Sequence, residues 1–310
     1  MSRGLGDVYK RQGCDVVLAI RHALDCDVYF PHGGLVQDAR DAKDRAVGGP
    51  SFWTRVGRSF SRKHDFFIEA EHAMLGGAEG PLVIAVSNVL AERIKQVFPT
   101  VRERLVTVLN GVDPDHFSRA SVADAGAALR AGYVAEGARV ALLLAKNLRL
   151  KGAATAIEAL ARPVLDDVAA PVHLFIGGAA LPRDLRRLAR EHGVADRVHE
   201  VGAFDDPRPL YAAADVLVHP TWYDPCSLVC LEALAMELTV ITTPQNGVRD
   251  VMGHKAGIVV EEGARFRGVI VIGPEEAEPL PSLASVREPA QSREPAPVIV
   301  ERDDDPDDAA

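Results

Sequence analysis

From residue 140 onward the chain repeats one pattern, in which a short apolar run is followed by a turn, an amphipathic stretch and another apolar run. The apolar runs fall at 140–145, 172–176, 198–201, 216–219, 240–243 and 258–260. Helical spacing falls between them at 152–160, 184–191, 208–213, 227–235 and 248–252. Runs this short and continuously apolar suit strands buried on both faces, and helices between them suit right-handed crossovers. The pattern therefore predicts an α/β fold on a parallel sheet. A shorter version precedes it, with strands expected at 15–20, 28–30, 82–86 and 106–109 and amphipathic stretches at 55–74 and 89–98. The linker between the two alternations is expected at 119–137.

Within the second alternation, Tyr223-Asp224-Pro225-Cys226-Ser227-Leu228 leads into the apolar helical run that carries Glu232. Pro225 ends a turn, and Ser227 just after it is a helix N-cap candidate, accepting a backbone N–H with its hydroxyl. The N–H groups of Ser227 and Leu228 and the positive end of the helix dipole would then face whatever lies above the turn. Asp224 stands at that mouth, although Asp before Pro is also a common turn residue. Glu232 lies between Leu231 and Leu234, where an unpaired charge is costly. Two carboxylates in this setting can accept hydrogen bonds from hydroxyl-rich ligands.

The ends read differently. Residues 1–12 have neither helical nor strand periodicity and look like translated adapter sequence, so they are expected to be artefactual or disordered and Met1 not the natural start. Residues 264–310 hold seven prolines, five arginines and eleven acids, ending in Asp303-Asp304-Asp305-Pro306-Asp307-Asp308. Such a composition buries too little apolar surface to offset chain entropy, and a disordered acidic, Pro-rich tail is expected. That tail carries most of the net charge of −9, which leaves the rest nearly neutral and argues against nucleic acid as a partner. No apolar run is long enough to span a bilayer, and no signal peptide is evident. Cys14, Cys26, Cys226 and Cys230 offer a C-x3-C pair with no histidine at ligand spacing, which reads as reduced thiols in a cytoplasmic protein rather than a zinc site.

Five stretches in order resemble glycosyltransferase family 4 (group 1), the retaining enzymes of GT-B fold. Asp224-x7-Glu232 is similar to the family's E-x7-E element, with Asp in place of the first Glu. Ala212-Ala213-Ala214-Asp215-Val216-Leu217-Val218-His219-Pro220 resembles the strand before it, and Val240-Ile241-Thr242-Thr243 with Asn246-Gly247 the strand and loop after it. Asn110-Gly111-Val112-Asp113 resembles the family's interdomain segment, and Asn147-Leu148-Arg149-Leu150-Lys151-Gly152 its basic diphosphate-binding loop. The resemblance implies two Rossmann-like domains facing across a cleft: an incomplete acceptor-side domain at 13–118 and a nucleotide-sugar domain at 138–263. Two long helices expected after the second domain are missing, which points to a frameshift or truncation. A sheet left with exposed apolar edges predicts poor solubility.

The resemblance also assigns roles. Lys151 and Arg149 neutralise the leaving diphosphate without a metal ion, so no cofactor is expected. Asp224 holds the donor sugar, Glu232 the ribose, and the backbone of Ser227 and Leu228 meets sugar or phosphate. His32, in His32-Gly33-Gly34, contacts the donor sugar or the acceptor hydroxyl unless it is structural. The turn at Gly177-Gly178 lies near the nucleotide base or is a plain strand-to-helix turn. The stretch 51–74 sets Phe52, Trp53, Phe60, Phe66 and Phe67 among Arg55, Arg58, Arg62 and Lys63, which suits either an anionic membrane surface or packing on the first sheet. Glu237 stands where the family has a glycine, which strains the turn if that position needs φ > 0.

The implied activity is transfer of glucose from UDP-glucose to a saccharide or lipid-linked acceptor, as in lipopolysaccharide core assembly, in the cytoplasm or peripherally at the inner membrane. Two other readings stand beside it. One is a non-catalytic nucleotide-sugar-binding fragment. The other, a dinucleotide-dependent oxidoreductase, needs G-x-G-x-x-G opening a helix, and the chain has no such run.

Overall fold

A computed structural model describes residues 15–20, 22, 24–47, 62–162, 170–253 and 256–260. The expectations for 1–12, for the tail 264–310, for Cys14 and for the stretch 51–61 lie outside the described residues.

Two all-parallel sheets account for the fold. The first joins β1 (Leu18–Ala19), β2 (Val28–Tyr29), β3 (Leu82–Ala85) and β4 (Leu105–Thr107) in sequence order. The second is assembled from β5 (Arg139–Leu144), β6 (Val172–Gly177), β7 (Val198–Gly202), β8 (Val216–His219), β9 (Thr239–Thr242) and β10 (Gly257–Val259) in the order β10-β9-β8-β5-β6-β7. The first-placed strand β5 thus sits in the middle, with β6 on one side and β8 on the other. Order reverses there, and in open parallel sheets ligands bind outside the carboxyl ends of the strands at such a switch point. Centrality explains the sequence of β5: Val140, Leu142 and Leu143 are wholly buried, each leucine contributing roughly 2 kcal/mol of apolar burial.

Helices cover these sheets: α1 (Val36–Arg45), α2 (Arg62–Leu75), α3 (Asn88–Val97), α4 (Ala123–Ala131), α5 (Ala153–Leu160), α6 (Arg183–Glu191), α7 (Arg208–Ala213) and α8 (Leu228–Ala235). Helix α1 has no counterpart in the sequence reading. Its residues Val-Gln-Asp-Ala-Arg-Asp-Ala-Lys-Asp-Arg bury only Ala42, so they carry no apolar stripe to betray a helix. Residues 248–252 form no α-helix but a 3₁₀ turn at Gly247–Asp250, too short to repeat an apolar face. The expected linker is also more structured than a tether. Within 119–137 lies α4, packed on α7 so closely that a Cβ on Gly126 would meet Ala212 Cβ at 2.5 Å.

The two sheets share one apolar core, which runs from Tyr29, Val83 and Ile94 of the first half to Val140, Leu217 and Leu231 of the second. The expected boundary between 118 and 138 therefore falls within continuous packing. Among the described residues one face of the first sheet lacks such cover: Leu18, Leu82 and Val106 are 55%, 40% and 42% exposed. A parallel sheet ordinarily has both faces covered.

Candidate functional site

The loops after β5 and β8 leave adjacent strands at the switch point and are stitched together. Trp222 N–H donates to Leu150 O at 3.0 Å, and Thr221 Oγ1 donates to the same carbonyl at 3.2 Å. Gly152 makes the approach possible: it has φ +79°, and a Cβ there would overlap Pro220 O. This apposition brings Lys151 to Asp224, whose Oδ2 accepts from Nζ at 2.6 Å while Tyr223 O accepts from the same ammonium at 3.1 Å. Burial works to raise the Asp224 pKa, but the His219 hydrogen bond and the Lys151 charge outweigh it and hold the carboxyl down at about 2. The turn is fixed from the other side as well, since Asp224 N–H donates to Gln245 O and Gly247 N–H donates to Asp224 O.

Ser227 caps α8 as expected, accepting from Cys230 N–H at 3.4 Å. Its own N–H is not open to a ligand, because it donates to Asn246 Oδ1 at 3.2 Å. That corrects the expected backbone role of Ser227. Asn246 is itself wholly buried, and its amide donates to Thr242 Oγ1 at 3.0 Å, so it locks the helix start. Leu228 follows with an exposed side chain and, with Val229, supplies the N–H groups left over at the first turn. One turn further, Glu232 Oε2 accepts from Tyr211 O–H at 2.5 Å. Burial raises the Glu232 pKa against the pull of that hydrogen bond and of His116.

Two candidates are placed differently from the sequence reading. Arg149 turns away from Lys151 and pairs with Asp184 at 2.6 Å, where two half-exposed side chains meet in solvent. Gly177 ends β6 inside the core, where a Cβ would stand 3.0 Å from Leu144 Cδ1, so its smallness serves packing. His32 is exposed, with its ring stacked on Phe30 at 6.3 Å. The glycine beside it matters more: Gly34 has φ +77°, and a Cβ there would overlap Tyr223 Oη and clash with Pro225 Cγ at 2.8 Å. Tyr223 Oη accepts from Leu35 N–H at 2.9 Å, so the His32-Gly33-Gly34 loop is held against the Asp224 turn. Two further bonds span the halves, from Ser87 Oγ to Pro225 O at 2.6 Å and from Asn110 Nδ2 to Cys226 O at 3.0 Å.

Tyr211, Tyr223, His219 and Asn246 were not singled out from sequence. None is marked by local spacing, and each gains its role from a partner between 4 and 188 positions away. Among the described residues Cys26, Cys226 and Cys230 are buried, Cys226 and Cys230 as free thiols, and no group of three or more His, Cys, Asp or Glu is placed to hold a metal ion. No described helix is long and apolar enough to cross a membrane.

Residues 138–268 match the sequence family described as "Glycosyl transferases group 1". This segment is similar to a group 1 glycosyltransferase domain. It contains Lys151, Asp224 and Glu232 together. Over 147 residues the chain is 30% identical to the lipopolysaccharide glucosyltransferase WaaG of Escherichia coli (strain K12), an alignment covering 47% of this chain and 39% of that protein. The chain spans less than half the length of the curated relatives it matches. The glycosyltransferase fold extends beyond the matched segment. A crystal structure of WaaG superposes with a TM-score of 0.66 at 23% identity, covering 83% of this chain and 67% of that one. Anabaena HepE in complex with UDP and glucose superposes with a TM-score of 0.55 at 19% identity, covering 84% and 68%. The architecture is therefore GT-B, and the two parallel sheets are its Rossmann-like halves.

Proposed function

We propose that the chain belongs to a retaining glycosyltransferase of family 4 that moves glucose from UDP-glucose to a saccharide or lipid-linked acceptor in cell-envelope polysaccharide or lipopolysaccharide synthesis. The convergence of Lys151 and Asp224 at the switch point, with Glu232 one turn into the helix that follows, carries this reading. Lys151 neutralises the leaving diphosphate, and Arg149 joins it once its exposed pair with Asp184 opens. Asp224 holds the sugar as positive charge develops at the anomeric carbon. Glu232 accepts from the ribose hydroxyls, and Leu228 N–H meets a phosphate or sugar oxygen. No metal takes part, and the acceptor attacks from the face that the phosphate leaves. The choice of glucose and UDP leans on the relatives, one named a glucosyltransferase and one crystallised with UDP and glucose. The enzyme works at the cytoplasmic face, with a peripheral contact to the inner membrane through 51–74.

The uncovered face of the first sheet favours a second reading, donor binding without turnover. Incubation with UDP-[14C]glucose and lipopolysaccharide lacking core glucose separates them. Label in the lipopolysaccharide is the expected result. Donor binding with no transfer to any offered saccharide or lipid acceptor would favour the second reading.

A further inference from the structure

Beneath the Lys151–Asp224 pair lies a histidine that this mechanism leaves without a task. His219 ends β8 and its side chain is 1% exposed. Nε2 faces two acceptors, Asp224 Oδ2 at 3.4 Å and Ser227 Oγ at 3.5 Å. Nδ1 is buried and has no hydrogen-bond partner among the described residues. An imidazole in this setting is best satisfied as the neutral tautomer with its proton on Nε2. Burial lowers its pKa and the Lys151 charge adds to that, while Asp224 works the other way, so the ring is neutral at neutral pH. The paired position on β9 is Thr242, which does not titrate, and the Cys230 thiol behind Ser227 is pushed up to about 12 and stays neutral.

We propose that His219 is a positioning residue for the donor sugar: its Nε2–H takes over Asp224 Oδ2 when the donor diphosphate draws the Lys151 ammonium away. The proposal rests on the donor reading above. Lys151 now holds that oxygen at 2.6 Å, and the longer contact to Nε2 is a bond in reserve. A diphosphate competes for the ammonium with more charge than one carboxylate has. Without a second donor, Asp224 would be left buried and poorly satisfied. The replacement must also add no charge, because a carboxylate that supports developing positive charge has to remain negative. A neutral imidazole meets both requirements, whereas lysine meets only the first.

The test titrates the full chain with UDP and with UDP-glucose, comparing wild type with His219→Gln, which keeps a neutral N–H donor, and His219→Leu, which keeps bulk alone. Thermal melts establish that each variant is folded, and His219→Met replaces the leucine if it is not. UDP affinity is expected to be unchanged in the glutamine variant and to fall in the apolar one, because the diphosphate alone already draws Lys151 from Asp224 and leaves that carboxylate without a donor. The advantage of UDP-glucose over UDP is expected to fall about tenfold in the apolar variant and to persist in the glutamine variant. In wild type that advantage stays constant between about pH 7 and 8, where a buried imidazole with a lowered pKa is already neutral. Equal loss in both variants, loss in neither, or an advantage that changes with pH would overturn the proposal. UDP binding with no advantage for UDP-glucose in wild type sinks the His219 role alone. Failure of UDP itself to bind sinks the donor reading together with it.

Discussion

Lys151 Nζ and Asp224 Oδ2 stand 2.6 Å apart across 73 residues of sequence, with 19% and 13% of their side chains exposed. Removing one partner of so buried a pair leaves the other charge stranded, so Lys151→Met should cost about 3 kcal/mol by urea denaturation. Lys151→Met combined with Asp224→Asn should recover most of that loss without restoring donor binding. Asp224 has a folded pKa below its ordinary 3.8, so its contribution is complete above about pH 4 and is lost as pH falls through about 2. A double mutant no more stable than the single one would show that the pair is not coupled.

Glu232 and Tyr211 set a pH dependence for donor binding. A protonated Glu232 accepts fewer hydroxyls, and its pKa lies above the ordinary carboxylate value. Affinity should therefore rise with pH through that titration and then level off. Tyr211→Phe removes the 2.5 Å donor, which moves the titration further up and weakens binding about tenfold. Calorimetry at several pH values reads both effects, and a flat profile would place Glu232 outside the binding site.

Glu237 sits at φ +61°, in the left-handed region that non-glycine residues occupy only at a cost. Glu237→Gly relieves about 1–2 kcal/mol of strain and adds back part of it through unfolded-chain entropy. The net expectation is a gain of about 0.5–1 kcal/mol, or a melting temperature higher by about 2 °C. A lower melting temperature would mean that the Glu237 side chain makes a stabilising contact in solution.

His173 and His199 form a stacked pair on β6 and β7, Nδ1 to Nε2 at 2.9 Å. Burial lowers both pKa values, aided by Arg197 at His173 and by its partner at His199. Their folded pKa values lie below the unfolded 6.5, so the unfolded chain binds more protons just below that pH. Stability should be full above about pH 6.5 and decline as pH falls through the folded values. Urea midpoints measured across this range check it, and His173→Asn should flatten the decline.

The order of strands and crossovers was legible because buried parallel strands announce themselves as apolar runs, and Ser227 was legible as a cap because the local pattern suffices. The strain at Glu237 was also legible, since it needs only the turn. Helix α1 was not, because seven of its ten residues are polar and only Ala42 is buried, which leaves no apolar stripe to read. The pairing of Arg149 with Asp184 and the locking of Ser227 by Asn246 depend on loops from different strands meeting. Spacing in one chain segment holds no record of such meetings. Tyr211 and His219 became visible as site residues only once their carboxylate partners, 21 and 5 positions on, were seen to lie against them.

The exposed apolar face at Leu18, Leu82 and Val106 should drive self-association. Light scattering at micromolar concentration is expected to show oligomers that Leu18→Lys with Val106→Lys reduces. A monodisperse monomer in the unaltered chain would contradict this.

On the proposed function, the domain at 138–268 holds a nucleotide-sugar donor against Lys151, Asp224 and Glu232. Calorimetric titration of the purified chain with UDP-glucose, GDP-mannose and ADP-glucose, repeated on Glu232→Ala, tests it most directly. Saturable binding of UDP-glucose that disappears in Glu232→Ala is the predicted result. Heat from none of the three donors, or undiminished binding in the variant, would contradict it.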